Sequence, residues 1–299
     1  MSMDVFRDGA LTGKSILVTG GGGGLGLEIG KALAAKGAKV HICGRRPQVL
    51  EDAAKKISGS GPVAASYHVC DVRDADQVES MMDRIWADGP LTGLLNNAAA
   101  NFIAPTKDLS PKGFRAVTST VMDGSFHATL AAGKRWIAGG LKGSVVSNLV
   151  TWVWTGSAFV VPSAMAKTAL HAMTMSLAVE WGRYGIRLNA TAPGPFPTES
   201  AWEKLSPIPD VSSSATRADT VPLGRYGKMQ ELQNLIIFLL SDACDYLTGQ
   251  TIAIDGGQHL AGPGTFADLT TLTDEQWRAA RESIQRSTQR DKAQRAAGA

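Results

Sequence analysis

The stretch Ser15-Ile-Leu-Val-Thr-Gly-Gly-Gly-Gly-Gly-Leu-Gly26 decides the fold. Ile16, Leu17 and Val18 form a short apolar run, the pattern of a strand buried on both faces of a parallel sheet. Glycines follow at once. A helical pattern then begins, with Leu25, Ile29 and Leu33 on one face. Strand, glycine turn and helix together open a dinucleotide-binding βαβ unit. Glycine lets the backbone approach a pyrophosphate, and the helix start offers unpaired N–H groups to the anion. Five glycines can also make a flexible linker, but a linker does not sit between a buried-type strand and an amphipathic helix. The spacing Thr19-Gly20-x-x-x-Gly24-x-Gly26 differs from the more widespread Gly-x-Gly-x-x-Gly.

Working outward, strand-like and helix-like segments alternate along the 299 residues. Strands are expected at Lys39–Cys43, Val63–Val69, Gly93–Asn96, Gly143–Leu149, Ile186–Ala192 and Gln250–Ile254. Helices are expected after Pro47, through Val78–Ile85, as one long helix over Ser110–Ile137, after Pro162, and over Lys228–Leu240. With the first strand, this is an α/β, Rossmann-type, doubly wound seven-stranded parallel sheet, with function at the C-terminal ends of the strands. Residues 1–262 read as one domain. Within it, residues 196–221 turn to Pro, Ser, Thr and Ala without a period, the mark of a substrate lid. Residues 263–299 read as an extension, with a capping box at Thr273–Gln276, a short helix through Trp277 and a basic tail.

Composition narrows the classes. A net charge of +3 argues against a nucleic-acid or membrane partner. Cys43, Cys70 and Cys244 fall at unrelated spacings, which gives neither a disulfide framework nor a metal motif and fits a reducing compartment. No apolar run has the length of a membrane helix. The first residues lack a signal-peptide core, and Ala-Ala-Gly-Ala is not a peroxisomal address. The expectation is a cytoplasmic protein.

Local chemistry follows from the strand ends. The second strand runs into Gly44-Arg45-Arg46, without an acid. An acid there favours a free ribose 2′-hydroxyl and arginine favours a 2′-phosphate, so NADP(H) is expected ahead of NAD(H). The alternative is a pair of solvated arginines at a helix start. Asp71 after the third strand has two readings, acceptor for an adenine amino group or helix cap. Asn96-Asn97-Ala98 places side-chain amides where a buried strand ends beside the cofactor.

With these residues collected, Leu11 to Gly257 resembles the short-chain dehydrogenase/reductase family. The resemblance rests on Thr19-Gly20-x-x-x-Gly24-x-Gly26, Asp71, Asn96-Asn97-Ala98, Lys167 and Pro193-Gly194. It implies cofactor contacts from Thr19, Gly20, Gly24, Leu25, Gly26, Arg45, Arg46, Asp71, Val72, Asn97, Ala98, Lys167, Pro193 and Gly194. The family's tyrosine, four residues before its lysine, is Ser163 here, and its helix asparagine is Val121. The 2,4-dienoyl-CoA reductase branch lacks that tyrosine in the same way. The chain is similar to it over Asn96–Phe102, Thr155–Ala164, Glu180–Gly185, Pro193–Pro195 and Asp255–Trp277. That branch implies Ser163, Lys167 and Asn101 as catalytic residues, an acyl-CoA substrate, no metal, and a homo-oligomer, expected as a tetramer. Its proton-donating tyrosine aligns with Trp152, and the aspartate of peroxisomal-type members with Val121. Asp123 lies two residues away, on another side of the helix.

An indole N–H donates a hydrogen bond but is no general acid near neutral pH. Plain carbonyl reduction needs a prompt proton for its alkoxide. Hydride addition to a conjugated thioester instead makes an enolate that fixed donors stabilise and water can protonate. The departure therefore argues against ordinary alcohol dehydrogenation more strongly than against double-bond reduction. Ser163 reads equally as a helix-start serine, and Asn101 alternatively as a turn residue. Trp152, Phe159 and Pro195 are expected to line the substrate cleft; Trp152 and Trp154 have packing as their other reading. Two further functions stand beside the reductase: dehydrogenation of another hydroxy or keto compound, and nucleotide binding with weak catalysis.

Overall fold

The computed structural model describes residues 5–197, 218–262 and 272–279, together with positions 269, 282 and 289. Seven parallel strands form one sheet in the order β3-β2-β1-β4-β5-β6-β7. They are β1 (Ser15–Thr19), β2 (Lys39–Gly44), β3 (Ser66–Val69), β4 (Gly93–Asn96), β5 (Gly143–Asn148), β6 (Ile186–Pro193) and β7 (Thr251–Ile254). The helices are α1 (Gly24–Ala35), α2 (Pro47–Ser58), α3 (Ala75–Ala87), α4 (Pro111–Thr118), α5 (Gly124–Ala138), the one-turn α6 (Trp152–Thr155), α7 (Val161–Trp181) and α8 (Met229–Leu240).

Alternation along the strands builds two cores. On β1, Ile16 and Val18 face α1, α2 and α8, where Ile29, Leu33, Leu50, Ile57, Leu232 and Ile236 are buried. Leu17 faces the other way, with Leu94, Val145 and Leu188, onto Met81, Met82, Ile85, Ala132, Trp136 and Trp181. The doubly wound expectation is met. Strand order reverses between β1 and β4, which opens a crevice at their C-terminal ends. A third, smaller apolar cluster sits against that edge: Val117, Val121, Leu149, Ala166, Leu170 and Ala190, with Val153 packed on it.

Two elements depart from the sequence reading. β3 starts at Ser66 rather than Val63, and its side chains alternate between half-buried and exposed, as befits an edge strand. The expected single helix over Ser110–Ile137 is interrupted by a π turn, Ser119–Asp123. Its cause is local. The hydroxyls of Thr118, Ser119 and Thr120 donate to the carbonyls of Phe114, Arg115 and Ala116, competing with the backbone ladder just before it widens.

Most of the expected lid, residues 198–217, and most of the basic tail lie outside the described residues. Contacts divide the chain into residues 1–259 and 260–299. In the second unit residues 274–279 are helical, and Thr273 and Gln276 exchange the two capping-box hydrogen bonds at 2.8 and 3.3 Å. Among the described residues no helix is long and apolar enough to cross a membrane, and no cluster of His, Cys, Asp or Glu could hold a metal ion.

Candidate active site

The glycine-rich turn is shaped by contacts that exclude side chains. Gly20 has φ +68°, and a Cβ there would lie 2.8 Å from the Cα of Ala98. A Cβ on Gly26 would lie 2.5 Å from the Gly20 carbonyl oxygen and 2.6 Å from Nδ2 of Asn97. Backbone therefore packs on backbone where β1 passes into α1. No side chain caps α1, because its N-cap is Gly23, and the first N–H groups are left for an anion.

A cavity of about 830 Å³ opens over this turn. Gly20, Gly22–Gly24, Arg45, Arg46, Asp71, Val72, Ala98 and Thr120 are among its lining residues. Arg45 and Arg46 are exposed and make no side-chain hydrogen bond or ion pair among the described residues. Asp71 is not a helix cap. Asp74 caps α3, accepting from the N–H groups of Asp76 and Gln77. Asp71 instead accepts from the Arg73 guanidinium at 2.5–3.0 Å, which holds its carboxyl below the usual range. Its backbone N–H is taken by Gln77 at 3.0 Å. The residues present fit a nicotinamide dinucleotide: a glycine cradle with no room for a Cβ at Gly20, Gly21 or Gly26, an uncapped helix start, and free guanidinium groups at the far end.

One polar network joins this cradle to Lys167. The lysine is buried on α7, and its ammonium donates to the Asn148 carbonyl. The Asn148 amide donates to Oδ1 of Asn97 at 3.2 Å, and its oxygen accepts from Thr191 at 3.2 Å. Asn97 in turn donates to the carbonyl of Thr19 at 3.2 Å, and its backbone N–H to the Thr19 hydroxyl at 2.9 Å. Burial holds the Lys167 amine down to about 8. Asn148 is the hub of this network, and the sequence reading missed it. Its only signal was a polar residue at the end of the otherwise buried β5.

Ser163 lies one helical turn before Lys167 and is 4 % exposed. It caps nothing; the N-cap of α7 is Val160, and the Ser163 hydroxyl makes no hydrogen bond among the described residues. Asn101 is half-buried in the segment after β4, and its amide likewise makes none. Val121 is fully buried in the third apolar cluster, so the π turn presents no carboxylate at that position. Trp152 is half-buried on α6 and Phe159 is 56 % exposed. Pro195 lines a second cavity of about 490 Å³ between the ends of β6 and β7. Asn101, Trp152, Phe159, Ser163 and Lys167 do not line the larger cavity.

Fold, cradle and lysine network define a nicotinamide-dependent oxidoreductase. The chain belongs to the short-chain dehydrogenase/reductase family: residues 20–259 match the family model described as Enoyl-(Acyl carrier protein) reductase. It is 38 % identical over 283 residues to a probable 2,4-dienoyl-CoA reductase 3, (3E)-enoyl-CoA-producing, of Caenorhabditis elegans, covering 91 % of this chain and 90 % of the relative. It is 39 % identical over 249 residues to a probable 2,4-dienoyl-CoA reductase, (2E)-enoyl-CoA-producing, of Bacillus subtilis (strain 168), covering 83 % and 97 %. Among solved structures it is similar to a gluconate 5-dehydrogenase of Burkholderia cenocepacia J2315 in complex with NADP and tartrate, with TM-score 0.76, 32 % identity, and coverage of 86 % and 98 %.

Proposed function

We propose that this protein is an NADPH-dependent reductase of a conjugated carbon–carbon double bond in an acyl-CoA thioester. The observation that carries the reading is a complete cradle with an anchored lysine one helical turn after Ser163, the position where carbonyl-reducing members of the family carry a tyrosine acid. The names of the two relatives support the substrate class.

When bound, the nicotinamide supplies the hydride. The turn Gly20–Gly26 and the start of α1 hold the pyrophosphate, Arg45 and Arg46 the 2′-phosphate, and Asp71 with Val72 the adenine side. Lys167 holds the nicotinamide ribose and raises the local positive potential. Ala98, Pro193 and Gly194 pack along the cofactor. Asn101 donates to the thioester oxygen, where the charge of the enolate collects, and Ser163 donates from the neighbouring turn. Trp152, Phe159 and Pro195 wall the acyl group. Water delivers the proton to carbon, because an enolate is long-lived enough to wait for it. Protonation next to the thioester leaves a 3-enoyl product; protonation two carbons further leaves a 2-enoyl product.

The reading includes a homo-oligomer, a tetramer in the family's manner, in the cytoplasm. Met122 and Phe126 near the start of α5, and Met165, Met175 and Val179 on α7, are exposed and apolar, with Val179 at 85 %. That is more than a solvated helix face carries and fits a second copy of the chain. Three free, buried cysteines fit a reducing compartment.

The test is NADPH oxidation with 2,4-dienoyl-CoA and, separately, 2-enoyl-CoA, comparing wild type, Lys167→Ala and Trp152→Tyr. Turnover by wild type that Lys167→Ala loses is expected. Turnover by Trp152→Tyr alone, or by none of the three despite NADPH binding, would overturn the reading.

A further inference from the structure

Trp154 is left unused by the reaction as described, yet its half-exposed indole packs against two imidazoles. Its ring centroid lies 5.0 Å from that of His259, tilted by 32°, and it meets His171 edge-on at 6.3 Å. Each imidazole is itself tied down. Nδ1 of His171, one turn beyond Lys167 on α7, is 2.8 Å from the Thr251 hydroxyl at the start of β7. Nδ1 of His259 is 2.7 Å from Oδ2 of Asp255, just past the end of β7. The Asp255 carboxylate is buried and also accepts from the backbone N–H groups of His259 at 2.8 Å and Gly257 at 3.0 Å. Such a partner fixes both the tautomer and the plane of an imidazole.

Two further contacts set this group against the site. A Cβ on Gly194 would lie 2.6 Å from the Cβ of Asp255, so the Pro193-Gly194-Pro195 segment closes directly on the Asp255–His259 pair. The far end of the Trp154 loop is pinned as well. Phe159 is the one non-glycine residue with positive φ (65°) among the described residues, and its carbonyl accepts from the N–H of Ala104 at 2.9 Å, three residues past Asn101. Such a conformation persists only where its surroundings over-determine it. The loop from Thr151 to Val160 is thus held at one end by the chain after β7 and at the other by the chain after β4.

Resting on the acyl-CoA reading above, we propose that His259, oriented by Asp255, is a specificity-determining positioning residue: it stacks on Trp154 and so holds the turn Trp152–Thr155 as one wall of the acyl pocket. Without the stack, Val153 still packs in the third apolar cluster and the turn keeps its own bonds, Trp154 N–H to Thr151 and Gly156 N–H to Trp152 at 3.1 and 2.9 Å. Loss of His259 therefore changes the shape of the wall and leaves the fold intact.

The experiment compares wild type, His259→Ala and His259→Phe as full-length protein saturated with NADP⁺. Binding of short- and long-chain 2-enoyl-CoA is measured by calorimetry, and hydrogen exchange is followed over residues 152–156. His259→Ala is expected to weaken binding of the preferred chain length about 3- to 10-fold, the scale of one lost aromatic pair. It should also alter the short-to-long preference, speed exchange over the turn, and leave NADP⁺ affinity unchanged. His259→Phe should recover most of the loss, since it keeps the ring pair without an imidazole nitrogen. Unchanged preference and exchange in His259→Ala would overturn the proposal. So would a His259→Phe protein that binds as poorly as His259→Ala, which would make an imidazole nitrogen, and not the ring pair, the feature that matters. A wild type that binds no acyl-CoA would overturn the underlying reading, and this proposal with it. That failure is recognised because it appears before any substitution.

Discussion

Replacing Lys167 with methionine separates what the lysine does for the reaction from what it does to the fold. The amine is buried, and its value of about 8 in place of 10.5 corresponds to ~3 kcal/mol unfavourable to folding at neutral pH. The unfolded chain takes up the proton from about pH 10.5 downward, whereas the folded chain takes it up only from about 8. The wild type thus loses stability as pH falls through that window and stays level below it. Methionine is nearly isosteric and carries no charge, so the burial term vanishes. The Asn148 carbonyl loses its donor, which costs roughly 1–2 kcal/mol. The cofactor-free Lys167→Met protein is therefore expected to be about 1–2 kcal/mol more stable than wild type at pH 7 while losing reductase turnover. The assay is urea unfolding from pH 7 to pH 10.5. The advantage of the variant should shrink across that range, because a neutral lysine keeps its N–H donor without the burial term. A Lys167→Met protein less stable than wild type at pH 7, or a stability difference that ignores pH, would refute the reasoning.

Three other perturbations have expected outcomes. Arg45→Ala combined with Arg46→Ala should weaken NADPH binding on the order of 10- to 100-fold with little effect on NADH, as two charge-assisted partners of a 2′-phosphate are lost; equal losses for both cofactors would move the arginines away from the phosphate. Arg187, buried near the start of β6, donates to the carbonyls of Leu239 at 3.1 Å and Ser241 at 2.9 Å, closing the C-terminal end of α8. Arg187→Leu should cost ~3–5 kcal/mol in urea unfolding without changing NADPH affinity in the folded protein. His41 on β2 is buried 3.3 Å from Nε2 of His68, and burial followed by the charge of its neighbours pushes it down to about 4. Its stabilising effect is complete above about pH 6.5 and is lost as pH falls toward 4, up to ~3 kcal/mol; His41→Gln should flatten that acid slope in unfolding experiments.

Much of this was legible in the chain because it is local. A strand, its glycines and the first turn of α1 are consecutive, and their spacing encodes the cradle at Gly20 and Gly26. Lys167 and Ser163 share a helix face by their separation alone, and Asn97 follows its strand directly. What escaped is non-local or competitive. Nothing near Asn148 announces that its amide links Lys167 to Asn97 across β4 and β5. The Trp154 anchors come from α7 and from beyond β7, about a hundred residues further on in the case of His259. The π turn did have a signal, the consecutive hydroxyls Thr118-Ser119-Thr120, but helical periodicity outweighed it. Asp71 stayed ambiguous because cap and cofactor contact ask for the same residue type at the same place; the structure gives the cap to Asp74.

The most direct test of the central claim is transfer of label from deuterated NADPH to 2,4-dienoyl-CoA, read by mass spectrometry of the thioester. The expected product carries one deuterium at the end of the former diene distant from the thioester, formed one for one with NADPH consumed. Tight NADPH binding with no label in any acyl-CoA, together with turnover of a hydroxy or keto compound, would contradict it.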